Sequence, residues 1–285
     1  MRAYTVCFLF CLFTLLPALP VSAEDPAPDD VAFTAKSDTS QQHYVVVLPA
    51  GYKDTDTRDV LIALHGHGSD RWQFVQNARD ECRAARDVAA KHGMIFVSPD
   101  YRATTSWMGP RAESDMVQII GDLKLRYHVG KVILCGGSMG GTGCLTFAVL
   151  HPELIDGVAS MNGTANLVEY GNFQDAVRES YGGTKAEVPD EYRKRSAEFF
   201  PERLTMPVGI TAGGKDDIVP AASVVRLAEK LRAMGRNVLM VYREDGAHAT
   251  NYEDATAILE FAVGKGGSGG AAVPKKASDD GKRAP

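Results

Sequence analysis

The chain has 285 residues, 45% hydrophobic and 24% charged, with a formal net charge of −5 at pH 7. Those fractions allow a sizeable core, organised as one α/β domain. An acidic balance without a broad basic stripe argues against nucleic acid as the main partner.

Arg2 precedes an apolar run from Ala3 to Leu16, and Val21-Ser22-Ala23 follows as a small-residue site. This is the pattern of a secretory signal peptide over residues 1–23, cut after Ala23, so the expected location is secreted or periplasmic. The run is shorter than the roughly 20 residues a membrane span needs, and no later segment is longer, so no stable membrane insertion is expected. Residues 24–43, rich in Asp, Pro, Ser and Thr, read as a loose leader. Cys82, Cys135 and Cys144 have no repeating spacing and do not make a disulfide framework. Core packing is the reading for Cys135 and Cys144, with a disulfide at Cys82 left open.

Strands are predicted at Tyr44–Leu48, Val60–Leu64, Met94–Val97, Val132–Cys135, Val158–Met161, Val208–Thr211 and Val238–Tyr242. Helices are predicted at Trp72–Lys91, Glu113–Tyr127, from Ser138 to Leu150, Asp190–Phe199, Ala221–Met234 and up to Val263. Thr250-x-x-Glu253 reads as a capping box opening the last helix. Apolar strands alternating with helices imply a mostly parallel central sheet with helices on both faces. Residues 44–263 form this domain. The long connection 162–205 interrupts it, and residues 264–285, rich in Gly, Ser, Ala, Pro and Lys, read as a disordered tail.

The chemistry centres on Gly136-Gly137-Ser138-Met139-Gly140, which runs from a strand into a helix. A serine on such a sharp turn has its hydroxyl lifted clear of the sheet, and the glycines let strand and helix approach. A serine hydroxyl barely ionises at neutral pH, so it needs a base in hydrogen-bond reach and a third group to orient that base. Loops after later strands offer Asp216, with Asp217 as its rival, and His248. The order serine, acid, histidine along the chain suits this arrangement.

With these motifs the sequence resembles an α/β-hydrolase of the serine esterase type, over roughly residues 44–263. The acid loop Gly213-x-x-Asp216-x-x-Val219-Pro220 and the final-loop His248 carry the likeness, together with His65-Gly66-His67-Gly68. The resemblance implies a triad of Ser138, His248 and Asp216. It also implies an oxyanion hole made by the backbone N–H groups of Met139 and His67. No cofactor or metal is implied: His65-x-His67 with Asp70 suggests a two-metal hydrolase, but no downstream histidine cluster completes a ligand set. Residues 162–205 sit where the family inserts a cap, so Tyr170, Phe173 and Tyr181 are candidates to shape the pocket. Trp107 and Trp72 either stack against an aromatic acyl group or sugar ring, or pack beneath a loop.

Among superfamily members the chain is similar to compact secreted feruloyl and acetylxylan esterases, whose substrates are esters linked to plant polysaccharides. That likeness implies a carboxylic-ester hydrolase working through an acyl-enzyme, with a carbohydrate-linked ester as partner. Two readings stay open beside it. One is a serine peptidase of the prolyl oligopeptidase type, whose large propeller this chain has no room for. The other is a binding protein that kept the fold without the activity.

Overall fold

The strand sequences alternate which face of the sheet each side chain meets, and both faces are apolar. Val60, Ile62 and Leu64 join one buried cluster while Leu61 and Ala63 join the other. In the computed structural model, which describes residues 27–264, this gives an eight-stranded sheet. In chain order the strands are β1 (Asp29–Thr34), β2 (Gln41–Val47), β3 (Arg58–Leu64) and β4 (Ile95–Pro99), then β5 (Val129–Gly137), β6 (Gly157–Met161), β7 (Val208–Gly213) and β8 (Val238–Arg243). The spatial order is β1-β2-β4-β3-β5-β6-β7-β8. β2 pairs antiparallel with both β1 and β4, and every other pairing is parallel.

Helices α3 (Pro110–Arg126), α4 (Met139–Leu150) and α7 (Ala222–Ala233) pack with the first cluster. Helices α1 (Gln73–Gln76), α2 (Asp80–Lys91) and α8 (Tyr252–Val263) pack with the second. The connection from β6 to β7 carries α5 (Gln174–Tyr181) and α6 (Pro189–Lys194). The architecture is an α/β-hydrolase fold, with a mostly parallel sheet covered on both faces.

Several elements differ from expectation. The leader 24–43 is not loose throughout: Asp29–Thr34 forms β1, whose alternate residues Val31 and Phe33 are buried. Pairing with β2 supplies the backbone partners that its short, Asp-rich sequence does not advertise. The single helix expected from Trp72 to Lys91 is two, because the chain becomes extended at Asn77 (ψ 140°) and Arg79 (ψ 147°). Thr250 does not cap α8. Asn251 does, its side-chain oxygen accepting from Asp254 N–H at 2.8 Å. The Thr250 hydroxyl is turned inward, donating to the Asn162 amide oxygen and lying 2.7 Å from the Thr211 hydroxyl. Cys82, Cys135 and Cys144 are all free and buried. Burial pushes the Cys82 thiol up to about 12 and raises the other two further. The signal-peptide assignment and the tail beyond Gly264 lie outside the described residues.

Candidate active site

The serine turn is built by a steric demand. Ser138 adopts φ 58°, ψ −118°, a conformation costly for any residue with a Cβ. Its N–H donates to Met161 O at 2.8 Å, pinning it to the end of β6, and its carbonyl accepts from Thr142 N–H at 3.0 Å. A Cβ on Gly140 would stand 2.0 Å from Leu64 O, so α4 can cross the end of β3 only with glycine there. Glycine at 140 therefore admits a tight strand-to-helix turn with the hydroxyl at its apex.

The partners arrive on loops after neighbouring strands. β7 and β8 are parallel and paired through Gly213↔Arg243. Beyond that pair the loops press together: a Cβ on Gly213 would meet Gly246 O at 2.4 Å and Ala247 O at 2.5 Å. This backbone contact brings Asp216 and His248 into register. His248 Nε2 lies 2.9 Å from Ser138 Oγ, and its Nδ1 lies 2.7 Å from Asp216 Oδ2. The Asp216 side chain is 1% exposed, and its other oxygen accepts from Ile218 N–H at 3.0 Å and Val219 N–H at 2.8 Å. A carboxylate so held accepts from Nδ1–H and leaves Nε2 to accept the serine proton. Asp217 is exposed, and its backbone carbonyl accepts from the Asn172 amide. Of the two neighbours, only Asp216 faces the imidazole.

The loop after β3 closes the other side. Gly66 N–H donates to Gln73 Oε1 at 2.8 Å, Gly68 N–H to Thr104 O at 2.7 Å, and Tyr101 OH to His65 O at 2.6 Å. These bonds fix the loop. Among the described residues, the N–H groups of His67 and Met139 donate to nothing, as donors reserved for a ligand would. Ser138 and His248 open into a cleft of about 430 Å³ that His67, Phe173 and Ile218 also line.

The two tryptophans take the packing role. Trp107 is fully buried, its ring centroid 5.4 Å from Tyr170 and 5.5 Å from Phe173, so no substrate ring can reach it. The chain folds it inward at Trp107 and Met108, with φ 46° and 53°. Trp72 is half-buried under Arg71 (5.7 Å) and does not line the cleft. Of the three aromatic cap candidates, Phe173 alone lines the cleft; Tyr170 and Tyr181 are core, donating to Ile218 O and Trp107 O.

Sequence reasoning missed Gln73, which orients the His67 loop, and Asn162, which lies 3.4 Å from Asp216 and ties to Thr250. Asn162 has φ 49°, which favours Asn, and it directly follows a predicted strand; that position was the available signal. It also missed the polar wall made by Asn77, Arg79 and Glu81. The break between α1 and α2 creates that wall, and no motif marks it.

Comparison with solved structures places the fold among hydrolases. A puromycin hydrolase superposes with TM-score 0.67 at 18% identity, covering 85% of this chain and 39% of the other. FphF, a fluorophosphonate-binding serine hydrolase of Staphylococcus aureus, gives 0.63 at 16%, covering 84% and 98%. An S-formylglutathione hydrolase from Agrobacterium tumefaciens gives 0.63 at 13%, covering 82% and 91%. The chain thus spans about two fifths of the puromycin hydrolase and nearly all of the two smaller enzymes. No curated protein matches the sequence significantly. The model of the prolyl oligopeptidase family matches residues 82–263, which takes in the serine turn, the acid loop and the final histidine. With that match over more than half its length, the chain has the α/β-hydrolase fold and belongs to the prolyl oligopeptidase family.

Proposed function

We propose that the protein is a carboxylic-ester hydrolase that works through an acyl-enzyme on Ser138. The observation that carries this reading is the unbroken hydrogen-bond chain Ser138–His248–Asp216, opening into a cleft beside two unpaired backbone N–H groups. Ser138 Oγ attacks the ester carbonyl while its proton passes to His248 Nε2, and Asp216 stabilises the imidazolium. The N–H groups of Met139 and His67 hold the oxyanion. The C–O bond to the alcohol breaks, and the alcohol leaves with the proton from His248. Water then attacks the acyl-enzyme, giving its proton to His248. That proton returns to Ser138 as the acid departs.

The ester reading is supported by the likeness in fold to the S-formylglutathione hydrolase, an enzyme named for hydrolysing an acyl compound. The polar wall of Asn77, Arg79 and Glu81 suits a hydroxyl-rich alcohol, as in a carbohydrate-linked ester. The signal-peptide pattern of residues 1–23 supports action outside the cytoplasm, in a secreted or periplasmic setting. A second reading, a serine peptidase, is favoured by the family itself. Turnover of nitrophenyl acetate against a peptide nitroanilide separates the two: faster ester cleavage at matched concentration is expected, and cleavage of the anilide alone would overturn the ester reading.

A further inference from the structure

The buried indole of Trp107 has one polar group, its N–H, which can only donate. Its partner is His67 Nδ1 at 3.3 Å. Nδ1 must therefore offer a lone pair, and the ring proton resides on Nε2. A ring protonated at both nitrogens would set Nδ1–H against the indole N–H, and burial independently lowers the His67 pKa, both favouring the neutral form. Phe173 flanks the same ring at 4.4 Å between centroids. Nε2 has no protein partner among the described residues and is not one of the buried unpaired atoms, so its N–H is accessible on a residue that lines the cleft.

We propose that the His67 imidazole is a substrate-binding donor, fixed as the Nε2–H tautomer by Trp107, and that it selects esters carrying a second acceptor oxygen beyond the scissile carbonyl. The inference rests on the ester reading above but concerns the side chain of His67, not its backbone N–H. An N–H half-withdrawn from water beside Phe173 favours a substrate that returns an acceptor to it over an alkyl group that does not. His67 binds substrate directly; Trp107 is a positioning residue that acts through it.

Two measurements test this on the whole protein. In nitrogen-15 histidine NMR at neutral pH, the His67 signals, assigned by their loss in His67→Gln, are expected to show a bare Nδ1 and a protonated Nε2. Trp107→Phe, which keeps a ring but removes the N–H, is expected to give mixed tautomers. A wild-type Nδ1–H tautomer would overturn the assignment whether or not the Trp107 variant folds. In kinetics, nitrophenyl 4-oxopentanoate is compared with 4-methylpentanoate, and glucose 6-butyrate with cyclohexylmethyl butyrate. His67→Phe is expected to lower the oxygenated-to-alkyl ratio of kcat/KM about tenfold in one pair, the worth of one hydrogen bond. Equal loss across both pairs would overturn the selection. A wild type inert toward every ester would instead sink the ester reading and the ester selection with it, while the tautomer measurement, which needs no turnover, still decides what Trp107 does to His67.

Discussion

The serine turn and the 162–205 segment both line the cleft and are held by opposite means. At the turn, glycine permits a close backbone approach: Gly140 lies against Leu64 O, and Ser138 is carried on strained dihedrals. The 162–205 segment is held by long-range polar clamps instead. Arg195, with its side chain 0% exposed, binds Glu113 at 2.7 Å, Glu191 at 3.1 Å and Met108 O at 2.9 Å. Glu113 in turn meets His151 at 2.9 Å. The turn fixes where bonds are made and broken, whereas the clamp fixes the wall that Phe173 brings to the substrate. Damage to the first should appear in kcat with stability intact; damage to the second should appear in stability first.

The largest expected effect tests the first half of that contrast. Ser138→Ala or His248→Ala should lower kcat for a nitrophenyl ester on the order of a million-fold, because the members of such a triad act as a unit. The thermal midpoint should hardly move, since neither side chain is part of the core. Near-normal turnover in either variant would remove the assignment of the turn. Next in size, Asp216→Asn should cost about 10⁴-fold in kcat by allowing the wrong imidazole tautomer. Exposed Asp217→Asn should leave kcat within about twofold, as surface changes usually do. The reverse ranking would move the acid by one residue.

How much of this could be read from the sequence follows the same division. Gly136-x-Ser138-x-Gly140 is legible because its constraint is local: five residues, a strand before and a helix after. Asp216 and His248 are legible as candidates because parallel strands put their following loops at one edge. The walls are not legible, because they depend on contacts far apart in sequence. Trp107 is buried by Tyr170 and Phe173, more than sixty residues away. Arg195 belongs to a stretch as charged as a surface helix, and its distant partners, Glu113 on α3 and the Met108 carbonyl, explain its burial. β1 was hidden by composition, since Asp and Pro around a six-residue strand outweigh its alternation.

The clamp can be broken directly. Arg195→Leu strips a buried guanidinium from Glu113 and leaves that carboxylate half-paired, which should destabilise the fold by about 3–5 kcal/mol in urea unfolding. The surviving folded fraction should keep a kcat close to wild type, because no atom of Arg195 touches the serine, the histidine or the acid. A loss of kcat per folded molecule as large as that of Asp216→Asn would erase the distinction between the two regions.

A gentler perturbation sharpens it. Burial opposes the charge on Glu113, but the His151 hydrogen bond and Arg195 prevail and hold its pKa down to about 2, from an ordinary 4.5. Its contribution is therefore complete above about pH 4.5 and is lost as the pH falls towards about 2. His151 moves the other way, raised above 6.5 chiefly by its bond to Glu113. Its contribution is complete below 6.5 and lost as the pH rises through the higher folded value. Stability contributed by this pair should thus be greatest between 4.5 and 6.5 and fall on both sides. His151→Gln should flatten the alkaline side of the unfolding profile while leaving part of the acid side, where Arg195 still holds Glu113. An alkaline slope unchanged by His151→Gln would show that another group titrates there, and that the segment is clamped by Arg195 without help from the imidazole.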